Sequence, residues 1–76
     1  MEDFIKTVVH ALVDSPDEVE LAETIDDRGA MYEVRVAPAD LGKVIGKGGQ
    51  TVRSLRTLIS AIAAKHGKQV ALEIRE

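Results

Sequence analysis

Gly46-Lys47-Gly48-Gly49 is a glycine-rich turn with an apolar pair, Val44-Ile45, before it and an amphipathic stretch after it. No other segment constrains the fold as much. Apart from Lys47, the turn leaves its backbone uncovered by side chains, so it can approach another backbone closely and take positive φ at low cost. After it, Val52, Leu55, Leu58, Ile59, Ile62 and Ala63 recur at helical spacing, giving a long helix its core stripe. Arg53, Arg56 and Ser60 fall on its other faces. Before it, Pro38 suits the first turn of a short helix over residues 38–45, with Leu41, Val44 and Ile45 turned inward. A helix beginning at Gln50 aims its unpaired N–H groups and positive dipole end at whatever the turn touches. That favours an anion, most often phosphate.

The rest of the chain supplies the sheet and one more helix. Phe4, Ile5, Val8, Val9, Leu12 and Val13 mark one face of a helix over residues 3–13, and Asp14-Ser15-Pro16-Asp17 ends it. Val19, Leu21 and Ile25 set against Glu18, Glu20 and Asp26 read as a half-buried strand. Asp26-Asp27-Arg28-Gly29 is turn chemistry, and Tyr32, Val34 and Val36 alternate on the return strand of a hairpin. Gly67 stops the long helix as a C-terminal cap should, and Val70, Leu72 and Ile74 alternate on a last strand. The order is α-β-β-α-α-β in one domain, residues 1–76. The last two strands are joined through two helices, so they should run parallel. The fold class expected is α+β: a two-layer sandwich with a three-stranded mixed sheet and three helices on one face. Glu18, Glu20, Glu33, Arg35, Glu73 and Arg75 keep the other face wet.

Composition closes several routes. With no Cys there is neither a disulfide nor a thiolate metal site. Phe4 and Tyr32 are the only aromatics, so base stacking cannot dominate any contact with nucleic acid. The longest apolar runs are a few residues, which excludes a membrane-spanning helix and a membrane partner, and the acidic start Met1-Glu2-Asp3 is unlike a secretory signal. A cytoplasmic protein is expected. The net charge of −3 argues against a polyanion until its distribution is read. Residues 1–40 hold eleven acidic and three basic side chains, whereas residues 41–69 hold six basic ones and no acid. Positive charge therefore gathers at the glycine turn and the helix after it, where a phosphate footprint would form.

Other chemistries fail on spacing. A Walker A loop needs four residues between its glycines and then Lys-Ser or Lys-Thr; Gly42 and Gly46 have three between them, and Gly48 follows Lys47. The dinucleotide fingerprint counted from Gly46 and Gly48 meets Thr51 where its third glycine belongs. His10 and His66 have no carboxylate at ligand spacing, and the paired acids Glu18 and Glu20 lie on a wet strand face with no nucleophile in view. No enzyme, cofactor or metal is expected. Lys43 and Lys47 are the candidate phosphate contacts, with Arg53 and Arg56 near enough to help. Lys65 and Lys68 are read as partners of the helix dipole.

The run Val44-Ile45-Gly46-Lys47-Gly48-Gly49-Gln50-Thr51-Val52 resembles the signature of the KH domain, and the element order resembles its type II form. The resemblance covers the whole chain and is similar to the small bacterial single-domain RNA-binding proteins of the KhpA family. It implies a cytoplasmic RNA-binding protein, an RNA chaperone or post-transcriptional regulator linked to cell-envelope and cell-length control. It also implies pairing with a second, larger KH-domain protein; because one small groove binds weakly, linking two domains is a physical reason to expect that partner or a homodimer. Carried over by position, Gly46, Lys47, Gly48 and Gly49 clamp the backbone of single-stranded RNA. Leu41, Val44 and Ile45 line the base groove, with Gln50 at the helix start. The rival reading is a dimerisation module whose partner makes most of the RNA contacts, which the acidic first half favours.

Overall fold

The computed structural model describes residues 1–76. Helix α1 (Glu2–Leu12) forms on the expected apolar spacing, with Ile5 and Val9 fully buried and Phe4, Val8 and Leu12 packed beside them. Glu2 and Asp3 in its first turn and His10 in its last both suit the helix dipole. The chain turns extended at Val13, and Pro16–Glu18 makes one 3₁₀ turn. Strand β1 (Glu20–Ile25) and strand β2 (Gly29–Arg35) pair antiparallel, with Leu21 opposite Val34. Strand β3 (Gln69–Arg75) runs parallel to β2, with Leu72 opposite Tyr32, so the sheet order is β1-β2-β3.

The crossover between β2 and β3 carries the site. Pro38–Asp40 is a 3₁₀ turn, followed by helix α2 (Leu41–Ile45), a second 3₁₀ turn over Lys47–Gly49 and helix α3 (Gln50–Lys65). Val52, Leu55, Ile59 and Ala63 form the row of α3 that faces the sheet. Together with Ile5, Val9, Val44, Tyr32, Val34, Val36 and Leu72 they close one core between the helices and the sheet. Gly67, at φ 66°, ends α3 in a Schellman cap: Lys68 N–H donates to the Ala63 carbonyl at 3.0 Å and Gly67 N–H to Ala64 at 3.0 Å. This is the two-layer type II arrangement expected.

Three details differ from the pattern read in the sequence. Leu58 and Ile62 are 49% and 36% exposed although they belong to the apolar stripe. Each stands one residue, about 100° of helical turn, from the row that meets the sheet, so the stripe is wider than the surface beneath it. Ile25, at the hairpin end of β1, is 70% exposed. Glu18 and Val19 precede β1, so Glu18 is not on the wet sheet face.

The inner row of α3 should dominate stability. Ile59→Ala is expected to cost about 2–5 kcal/mol, and Leu58→Ala less than about 1 kcal/mol, measured as the shift in urea unfolding midpoint at constant m-value.

Candidate nucleic-acid interface

Glycine backbone angles build the turn. Gly46 (φ 78°, ψ 171°), Gly48 (φ 63°, ψ 21°) and Gly49 (φ 76°, ψ 13°) all take positive φ, where a side chain costs energy. At Gly46 space as well as angle forbids one, since a Cβ there would lie 2.8 Å from the Thr51 backbone nitrogen. At Gly48 a Cβ would meet nothing within 4 Å, so the outer surface of the turn stands open.

The cradle is narrower than the sequence implied. Gly46 N–H donates to the Gly42 carbonyl at 2.9 Å, Gly49 N–H to Gly46 at 3.1 Å, and Gln50 N–H to Lys47. Lys47 and Gly48 are the two exposed residues of the turn. Nothing offsets the positive end of α3: Gly49 at its N-cap position makes no side-chain cap, and its first turn holds no acid. Lys47 is exposed and makes no ion pair, so its charge is at the disposal of an incoming anion.

The other candidates divide. Arg53 lies beside the turn, its Nη2 donating to the Gly48 carbonyl oxygen at 2.6 Å. Arg56 is turned to the sheet edge, where its Nε donates to the Leu72 carbonyl at 3.0 Å. Lys43 is turned away, its ammonium held by the carboxylates of Asp14 and Asp40. Leu41 and Ile45 are half-buried, on either side of Val44 along α2, and remain open to contact. Val44 is fully buried and is corrected here from groove to core. Of the five residues of α2 only Val44, the fourth, is buried. The largest concavity, about 660 Å³, opens at the far end of α3 beside Ile62, His66 and Ile25, remote from the turn.

Sequence reasoning missed Asp40. It is 1% exposed, and its carboxylate accepts from the backbone N–H of Asp14 at 3.2 Å and of Ser15 at 3.0 Å. Burial pushes its pKa up, but the two backbone donors and Lys43 outweigh that and hold it below the usual carboxylate range. The hydrogen bond to Asp14, opposed by desolvation, raises Lys43 above the ordinary lysine value. This cluster pins the entry of α2 to the chain leaving α1. Its only signal in the sequence was Asp40 three residues before Lys43. Tyr32, the one aromatic in the sheet, is 4% exposed and donates to Glu23 at 2.5 Å. Burial, then Glu23, pushes its phenol up to about 12, so it offers RNA neither a ring face nor a phenolate.

The sequence profile of the KhpA/KhpB KH domain matches residues 2–74. The chain belongs to that family. It is 43% identical to the RNA-binding protein KhpA of Clostridium acetobutylicum over 74 residues, 97% of this chain and 99% of that one. It is 45% identical to the RNA-binding protein KhpA of Aquifex aeolicus over 76 residues, 100% and 96% of the two chains. To the protein of the same name from Chlamydia trachomatis the identity is 42% over 76 residues, 100% and 97%. No solved structure matches the chain. The turn has Gly-X-X-Gly spacing, Gly46 to Gly49. No helix is long and apolar enough to cross a membrane, and no group of three His, Asp or Glu side chains is arranged to hold a metal.

The Asp40 cluster makes an acid prediction. A carboxyl whose pKa is lower folded than unfolded stabilises fully above its unfolded value near 3.8, and that stability is lost as pH falls through the folded value. The melting temperature should therefore fall as the pH drops below the ordinary carboxylate range, and Asp40→Asn should melt lower at neutral pH with a shallower acid decline.

Proposed function

We propose that this KH domain grips short single-stranded RNA, without catalysis, through the turn Gly46–Gly49. Sugar–phosphate rests on the Lys47 and Gly48 amides under the positive end of α3, with the Lys47 ammonium as counter-charge. Leu41 and Ile45 offer apolar contact to the bases, and Gln50 lies at the helix start. The observation that carries this reading is an exposed lysine outside every ion pair on an open glycine turn, in a stretch free of acids. Family membership and relatives named RNA-binding protein support it. The reading extends, as the family implies, to a cytoplasmic RNA chaperone or post-transcriptional regulator tied to envelope (peptidoglycan) and cell-length control.

Few phosphates meet so small a turn, and eleven acids in the first half repel RNA, so one domain binds weakly. Linking two domains raises effective concentration and supplies useful affinity, which gives a homodimer or a second KH-domain protein a physical role. Leu58, 49% exposed and flanked on α3 by Ser54 and Ala61 along a shallow concavity of about 440 Å³, is the observation that favours such pairing.

In-cell ultraviolet crosslinking tests the RNA site. The double change Lys47→Asp with Gly48→Asp should lower recovered RNA by about tenfold or more, since like-charge juxtaposition costs several kcal/mol, while partner binding stays intact. Undiminished crosslinking would move the RNA site elsewhere. For the pairing, Leu58→Glu should shift sedimentation toward the monomer with the circular dichroism spectrum unchanged. A dimer that survives Leu58→Glu would exclude this face.

A further inference from the structure

The peptide unit between Gly48 and Gly49 is held at both ends. Its carbonyl oxygen accepts from Arg53 Nη2 at 2.6 Å, and its N–H donates to the Gly46 carbonyl at 3.1 Å. The carbonyl and N–H of a trans peptide point to opposite sides, so each bond sets the direction of the other. The guanidinium also lies over Gly49, where a Cβ would sit 3.7 Å from Nη2.

Two consecutive glycines make this the least constrained peptide of the turn. Turning the plane end over end would leave Gly48 at positive φ with extended ψ, a region essentially reserved for glycine, and carry Gly49 to negative φ. Neither glycine resists that. The flipped plane would swing the Gly48 carbonyl, a partial negative charge, off the α3 side toward where phosphate would lie. It would break both bonds.

We propose that Arg53 is a positioning residue: it holds the Gly48 carbonyl against α3 and so keeps the turn in the orientation that accepts phosphate, without itself ligating phosphate. The inference rests on the RNA reading above, but its first readout needs no RNA. In ¹⁵N-labelled free protein, Arg53→Ala should broaden or split the Gly48, Gly49 and Gln50 amide signals, while α1 and β2 signals stay put. Gly48→Ala added to Arg53→Ala should sharpen them again. Alanine is strained at the observed left-handed angles of Gly48 but far more so at the flipped ones, a region essentially confined to glycine, and its Cβ meets nothing within 4 Å.

The second readout is binding to a fluorescein-labelled oligouridylate across a salt series. A positioning role predicts weaker binding for Arg53→Ala with the log–log salt slope of the wild type. A direct phosphate contact would instead reduce the slope by about 0.7. Free-protein amide signals in Arg53→Ala identical to those of the wild type would overturn the inference. Wild-type protein that binds no oligouridylate at low salt would count against the RNA reading itself, and the free-protein spectra would still decide whether Arg53 sets the turn.

Discussion

Two helices that pack on the same sheet face, joined end to end, must change direction within a few residues, and everything about the site descends from that reversal. Strands β2 and β3 are parallel, so the chain between them has to cross the sheet. It does so with α2 and α3 and only Gly46 to Gly49 between them. Three positive φ angles in four residues exclude most side chains, and the stripping of side chains is what exposes the backbone to a ligand. The constraint that closes the core and the bare backbone surface proposed to receive phosphate are one feature. Gly46 serves the first purpose, wedged against Thr51, and Gly48 the second, facing open space.

Electrostatics sharpens this division. Of the basic side chains around the turn, Lys43 is spent on Asp14 and Asp40, Arg56 on the Leu72 carbonyl and Arg53 on the Gly48 carbonyl. They hold α2, the sheet edge and the turn in place. Lys47 alone among the four is unattached. Of the six charges counted in the sequence, one is an unpaired lysine at the turn, three are anchored around it, and Lys65 and Lys68 lie at the far end of α3.

Much of this was legible from residue order, and the rest was hidden for identifiable reasons. Period-2 alternation at Tyr32, Val34 and Val36 and at Val70, Leu72 and Ile74 located two strands, because each has one wet and one dry face. Gly67 announced its cap because few other residues end a helix in that conformation. The turn was legible for the same reason. Periodicity could not show that Val44 points into the core while Leu41 and Ile45 stay half open, since a five-residue helix is too short to display a face. Nor could it separate Ile59 from Leu58, which differ only in whether the sheet beneath is wide enough. The direction of a long side chain such as Lys43 is set by Asp14, distant in sequence, and no local pattern records that contact.

The account stands or falls on where RNA touches the chain. Titration of ¹⁵N-labelled protein with oligoribonucleotides, followed amide by amide, tests it most directly. Saturable shifts centred on Lys47 and Gly48, spreading to Gln50 and the first turn of α3, are the predicted result. Unmoved signals at Lys47 and Gly48 alongside saturable shifts elsewhere would contradict it.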